Sequence, residues 1–214
     1  MFLRPLILAA GLLFGTAAFA ADAPKWEAGK HYALIDPPVP TSTGDKIEVL
    51  EVFSYACPHC AHFQPSADKL KAELPKNAEF TLMPADFQPI WLVFARAFYA
   101  AKSMGVLDKT HQLTFDALYR DNLRPQSLEE IADLYATYGV DKKTFLSTAQ
   151  SFVVEGQLEQ IRGREMAYGI ESTPTLIING KYRVTANTEA GVAFDQMVEI
   201  AQYLVAQEAK KTRK

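Results

Sequence analysis

Cys57 and Cys60 are the only cysteines among the 214 residues, and two positions separate them. A pair at this spacing can bind a metal, cross-link the chain, or exchange thiols with another molecule. A structural zinc site usually draws its remaining ligands from a second cysteine or histidine pair. His31, His59, His62 and His111 form no second pair at ligand spacing, so no metal site is expected. An inert cross-link would close a loop of only a few residues and remove little entropy from the unfolded chain. Dithiol redox chemistry is the remaining reading, and a C-x-x-C at the mouth of a helix is a strong signal for it.

Thiol exchange needs a thiolate, and a helix N-terminus offers unpaired N–H groups and the positive end of the helix dipole. Cys57 is therefore expected to be the exposed, acidic nucleophile, and Cys60, a turn further in, the buried resolving thiol. His59 lies between them and can add positive charge or a hydrogen bond to the thiolate. Pro58 suits the first helical position, where a missing N–H is not needed. Were Cys57 to titrate three units below pH 7, its thiolate would be stabilised by about 4 kcal/mol. The couple would then move on the order of 90 mV toward oxidising. The redox group would be the Cys57–Cys60 disulfide itself, with no further cofactor.

The elements that must hold this pair are legible on either side of it. Residues 46–53 read as a strand buried on both faces, since Ile47, Val49, Leu50, Val52 and Phe53 leave almost no polar alternation. A helix follows from Pro58 to about Leu74, with Pro65 inside it expected to kink it. Short strands are expected at 31–35, closed by Asp36-Pro37-Pro38, and at 79–83. Helical patterns then fill 89–104, 107–119, 127–138, a short stretch capped by Asp141, and 151–168. Ser127 with Glu130 forms a capping-box signature, and Gly139 and Gly169 suit helix ends. Strands return at 175–178 and 181–184 around Asn179-Gly180, a strong hairpin signal, and an amphipathic helix spans 194–206. This order specifies an α/β sheet with an all-helical piece inserted between about residues 87 and 150.

Residues 1–20 read as an export leader: Arg4 precedes an apolar run from Leu6 to Phe14, and Ala18-Phe19-Ala20 is a small-residue cleavage site. Cleavage after about Ala20 would place the cysteines where disulfides persist. Without Arg4 the chain has 21 basic and 25 acidic residues, a net charge of about −4, which argues against nucleic acid as partner. Lys210, Lys211, Arg213 and Lys214 read as a frayed, solvated end.

Cys57-Pro58-His59-Cys60 at a strand-to-helix junction, Thr173-Pro174 just before a strand, and the helical insertion together resemble the DsbA family of periplasmic thiol:disulfide oxidants. The likeness extends to Glu51-Val52-Phe53-Ser54-Tyr55, Ser151-Phe152-Val153-Val154 and Asn179-Gly180-Lys181-Tyr182. It implies a thioredoxin fold divided as 21–86 with 151–214, the insertion occupying 87–150. It also implies a cis Pro174 packed beside Cys57, and a Thr173 backbone that pairs with incoming peptide. That family is itself the type example of an acidic nucleophilic cysteine in a strongly oxidising couple, so the resemblance and the estimate above share a direction.

By the same resemblance Glu51 is a buried carboxylate that helps Cys60 lose its proton; the residue pattern alone equally fits a strand-end Glu whose head reaches water. His62 either borders the substrate groove or is a solvated surface residue. Thr173 stands where the best-known members have valine, and Gln64 and Leu82 stand where a second carboxylate and a lysine would complete a charged cluster. The implied partners are reduced, unfolded secreted proteins and a DsbB-like membrane quinone reductase, with the protein a monomer in the periplasm. A reductase or isomerase on the same fold is the alternative activity, although isomerases of this superfamily carry an N-terminal dimerisation domain and residues 21–46 are too few for one. A peptide-binding, chaperone-like module with an inert disulfide is the alternative from another class.

Overall fold

The computed structural model describes residues 25–211; the residues read as an export leader, Arg213 and Lys214 lie outside them. Strand β2 (Ile47–Phe53) is buried at all its positions, as its apolar run requires. It pairs in parallel with β3 (Ala78–Pro84) and antiparallel with β4 (Thr175–Ile178). β4 continues antiparallel to β5 (Tyr182–Thr185), and β5 to the short β1 (Ala33–Leu34), giving the order β1-β5-β4-β2-β3. β1 is shorter than its pattern suggested. Ile35 still donates to the Lys181 carbonyl at 2.8 Å, but Pro37 and Pro38 then offer no N–H to extend the ladder. The β4–β5 turn has φ of 51° at Asn179 and 64° at Gly180, as a type I′ turn demands. A side chain on Gly180 would also run into the Val39 carbonyl.

Helix α1 (Pro58–Glu73) leaves the C-terminal end of β2 and runs on through Pro65 without interruption. With the C-terminal helix it covers one face of the sheet, where Val49, Phe63, Leu70, Leu176, Ile178 and Leu204 meet. Leu50, Val52, Met83, Ile177 and Tyr168 pack on the other face. The insertion comprises α2 (Pro89–Ser103), α3 (Leu107–Tyr119), α4 (Leu128–Thr137) and α5 (Lys142–Ala149). Its starts are the expected ones: Ser127, Asp141 and Ser151 each accept from a backbone N–H three residues on. Glu130 reaches back to the Gln126 N–H rather than to that of the cap residue itself. The next helix, α6 (Phe152–Tyr168), straddles the two parts. Val154, Leu158 and Ile161 pack with the insertion, whereas Tyr168 lies on the sheet.

The insertion has no separate core. Phe94, Phe98, Phe115, Ile131, Tyr135 and Phe145 form one cluster with Phe53, Tyr55, Cys57 and Cys60. The helices therefore pack directly behind the reactive pair, and the position of one depends on the other.

Helix α7 (Phe194–Lys211) outruns the expected end at residue 206, and Lys210 and Lys211 belong to it. The cause is Glu208, which is 2% exposed and accepts from Asn179 Nδ2, Lys181 Nζ, Tyr182 Oη and Lys211 Nζ. Burial opposes its ionisation, but Lys181, Lys211, Asn179 and Tyr182 outweigh that and bring its pKa to about 2. The stabilisation this gives is present above the ordinary carboxylate range and is lost as pH falls toward 2. Glu208→Gln is expected to lower stability at pH 7 by about 3 kcal/mol and to flatten acid unfolding between pH 4.5 and 2. Urea denaturation at several pH values measures both effects.

Candidate active site

β2 ends at Phe53, and Ser54, Tyr55 and Ala56 turn the chain into α1. The turn is held by Cys57 N–H donating to the Ser54 carbonyl at 3.1 Å and by Ala56 N–H donating to Ser54 Oγ at 3.2 Å. Tyr55 points into the aromatic cluster, where its hydroxyl shares a 2.9 Å hydrogen bond with His111 Nδ1 of α3. Burial, with a smaller effect from Lys71, brings the His111 pKa to about 4, so its ring is neutral at neutral pH. The segment leading into the cysteines is thereby tied to the insertion.

Cys57 is the N-cap residue of α1, and Pro58 occupies the first helical position. Both cysteines are thiols in this structure. Both are buried: Cys57 retains 6% of its surface and Cys60 none, so Cys57 is not the exposed thiol that the motif suggested, although it keeps more surface than Cys60. The Cys57 thiol is brought down to about 5, first by a hydrogen bond from the Cys60 thiol, against the opposing effect of burial. The backbone N–H groups of Cys60 and His59 add to the lowering. Cys60 is driven strongly the other way, by burial first, then by Cys57, and in part by Glu51. One sulfur is thus built to be an anion at neutral pH and the other to hold its proton.

Thr173 and Pro174 come from the segment before β4. Their peptide bond is cis, and the Thr173 carbonyl lies 3.5 Å from Cys57 Sγ. Glu51 comes from β2 and has no exposed surface. Its head therefore does not reach bulk solvent, and its two carboxyl oxygens have no protein hydrogen-bond partner. Burial, then Asp68, then Cys57 raise its pKa to about 8, making it mostly the neutral acid at pH 7. The positions that depart from the charged-cluster pattern sit beside it: Leu82 pairs with Glu51 in the β2–β3 register, and Gln64 is buried with an unpartnered Nε2.

The structure brings Cys57, Cys60, Thr173, Pro174 and Glu51 together. The side chains of Pro58 and His59 face solvent at the rim, and what lowers Cys57 from His59 is its backbone N–H. His62 is exposed on α1. Sequence reasoning did not find the cleft of about 300 Å3 beside the pair, walled by Ala56 and Pro58 on one side and by Ile90, Phe94, Leu118 and Tyr119 on the other. Its trace in the sequence was the run 89–104, apolar on more faces than one core contact needs. Among the described residues no group of three or more His, Cys, Asp or Glu could hold a metal ion, and no helix is long and apolar enough to cross a membrane.

Residues 44–196 match the thioredoxin family model. The thiol:disulfide interchange protein DsbA of Pseudomonas aeruginosa is 39% identical over 99% of this chain and its own full length. That of Azotobacter vinelandii is 35% identical over 96% of this chain and 98% of its own. Among solved structures, Pseudomonas aeruginosa DsbA superposes with a TM-score of 0.81 at 38% identity, covering 88% of this chain and 97% of that one. DsbA from Xylella fastidiosa gives 0.77 at 35% identity, covering 84% and 96%.

Proposed function

This chain belongs to the DsbA family of thiol:disulfide interchange proteins, and from that membership we propose how its own residues work as an exported disulfide donor. The enzyme is a thiol:disulfide oxidoreductase that passes the Cys57–Cys60 disulfide to reduced substrate proteins during oxidative folding. The observation that carries the reading is geometric: Cys57 caps the N-terminus of α1, Cys60 is fully buried one turn on, and the cis Thr173–Pro174 segment sets the Thr173 carbonyl 3.5 Å from Cys57 Sγ; the opposite displacement of the two thiols agrees with it.

A substrate thiolate attacks Cys57 Sγ, a mixed disulfide forms, and Cys60 leaves. Because Cys60 is a strong base in its pocket it must take up a proton, and Glu51, largely a neutral acid at pH 7, is the group placed to give it. A second substrate thiolate then attacks the substrate sulfur of the mixed disulfide. Cys57 departs as a stable thiolate, which makes it a good leaving group. The substrate has lost two electrons and gained a disulfide; the enzyme holds one thiolate and one thiol. No cofactor beyond the cysteine pair enters. Thr173 and Pro174 position the substrate backbone, and the discontinuous sheet module carries the chemistry.

The family membership also supports a periplasmic location after removal of the leader near Ala20, a monomeric state, and reoxidation by a DsbB-like membrane quinone reductase. With Cys57 two units below pH 7, its thiolate is stabilised by about 2.7 kcal/mol, a shift of about 60 mV toward oxidising, smaller than the 90 mV expected from the motif alone.

The test is a redox titration against glutathione at several pH values. Only Cys60 binds a proton on reduction above pH 5, so the potential is expected to fall by about 30 mV per pH unit through neutrality. An ordinary dithiol couple would lose about 59 mV per unit there, and that slope, or a potential near that of thioredoxin, would overturn the donor assignment.

A further inference from the structure

Two acidic side chains meet where the chain first crosses from the sheet module into the insertion. Asp86 lies in the short connection between β3 and α2, and Glu165 lies on α6, the helix that straddles the two parts. Glu165 is 6% exposed, and its Oε1 accepts from the Asp86 N–H at 3.0 Å. The Asp86 side chain is 12% exposed and lies within hydrogen-bond reach of the Glu165 carboxyl. Two carboxylates so placed cannot both ionise without strong repulsion, whereas one shared proton turns the contact into a hydrogen bond. The cation that acts on the pair is Arg162 of α6, whose Nε is 3.5 Å from Asp86 Oδ2; its side chain is largely in water, which screens it. β3 ends beside Asp86 in Met83 and Pro84 without a charge. Ala85 and Ile170, the chain neighbours of the pair, belong to the apolar cluster on the sheet face. Tyr168 of that cluster accepts at its hydroxyl from Arg164 Nη2 at 3.3 Å.

We propose that Asp86 and Glu165 form a proton-operated latch between the β3–α2 connection and α6, closed while the pair holds a proton and released once that proton is lost. The connection runs only from residue 85 to residue 88, and it is the way into the insertion, as α6 is the way out. Pinning one to the other fixes how the insertion leaves the sheet. The sign follows from where the proton is held. Burial, then the charge and side-chain hydrogen bond of Asp86, raise the Glu165 pKa to about 7, while the Asp86 N–H and Arg162 pull the other way. An opened pair meets water and titrates in the ordinary carboxylate range. The closed form is therefore favoured most below that range, and the advantage is lost as pH rises to about 7. The two carboxyls titrate as a unit, so the proton belongs to the pair rather than to either side chain. Because the insertion packs directly behind Cys57 and Cys60, the latch bears on the surroundings of the sulfurs without touching them. It goes beyond the disulfide-donor function and does not rest on it.

The test is hydrogen exchange at the residue 86 amide, itself the bridging donor, in the full-length mature protein with both cysteines reduced. After correction for the intrinsic exchange rate at each pH, its protection is expected to fall on the order of 50-fold between pH 5 and pH 8. Glu165→Gln keeps an oxygen for the Asp86 N–H and removes the titration, so protection should stay within about threefold over the same range. Asp86→Asn keeps Glu165 and the backbone bond but removes the facing charge, and the fall should shrink to about 10-fold or less. Glu51 titrates in the same range and is intact in both variants. A fall that persists undiminished in them would belong to Glu51 and overturn the latch. Flat protection in the wild type would overturn it as well. So would protection equal to that of the β2 amides, since residue 86 would then open only with the whole protein.

Discussion

Cys57→Ser is expected to reduce oxidation of reduced substrate proteins to the uncatalysed background, whereas Cys60→Ala will leave a protein that forms mixed disulfides and cannot exchange them for a disulfide of its own. Both variants lose the donor disulfide, but they differ in which sulfur remains. In Cys60→Ala the acidic sulfur survives and still attacks disulfides such as oxidised glutathione. In Cys57→Ser the survivor is buried and holds its proton strongly, so it should be nearly inert. The Cys60 thiol is also the largest single cause of Cys57 acidity. Cys60→Ala should therefore raise the Cys57 midpoint above 5, and Cys60→Ser, which keeps a hydroxyl donor, should raise it less. Thiolate absorbance against pH measures the midpoints, and mass spectrometry detects the mixed disulfide. An unchanged midpoint in Cys60→Ala would show that the backbone N–H groups suffice for the effect.

Glu51→Leu is expected to stabilise the reduced protein at pH 8 and to slow its chemistry. The wild-type carboxyl has a folded pKa of about 8 against an unfolded value near 4.3. Between those values the folded state holds a proton that the unfolded state has released, so stability falls as pH rises. The accumulated cost by pH 8 is about 4 kcal/mol. Leucine removes the titration, and the fall in stability between pH 5 and pH 8 should lose about 3 kcal/mol of its depth. Proton transfer to and from Cys60 loses the acid proposed to serve it, and substrate oxidation should slow on the order of 10²-fold. Denaturation of the reduced protein at both pH values, with stopped-flow kinetics of substrate oxidation, separates the effects. Full speed with the gain in stability would mean that Glu51 is a buried carboxyl without a relay role.

These three side chains illustrate what a sequence reveals. Cys57 and Cys60 announced their polarity because a helix N-terminus is a local feature, legible in the strand–turn–proline pattern around them. Even so, the motif suggested that the dipole and the His59 imidazole act on the thiolate, whereas the structure assigns the effect first to the neighbouring thiol. Glu51 stood out as the acidic residue at the apolar end of its strand, but whether its head reached solvent depended on segments that pack against it from outside the strand. Local rules likewise placed the caps at Ser127, Asp141 and Ser151 and the Asn179-Gly180 turn. Features made by distant segments were not legible. The reach of α7 to Lys211 depends on Glu208 gathering donors from the β4–β5 hairpin. The cleft needs α2 and α3 to fold back against residues 56 and 58, a tertiary arrangement that no window of periodicity contains.

The two outer strands of the sheet carry a further consequence. A protein whose clients are unfolded chains works among extended segments that would join any open ladder of N–H and C=O groups and draw it into aggregates. Here one border is the two-residue β1, followed almost at once by Pro37 and Pro38, neither of which has an N–H to give. The other is β3, which ends in Pro84 and carries Glu79, paired with Lys46 at 2.9 Å, near its start. The first border is too short to serve as a template, and the second is interrupted by a charge near its start and a proline at its end. The architecture thereby limits the open ladder that an extended client segment could join.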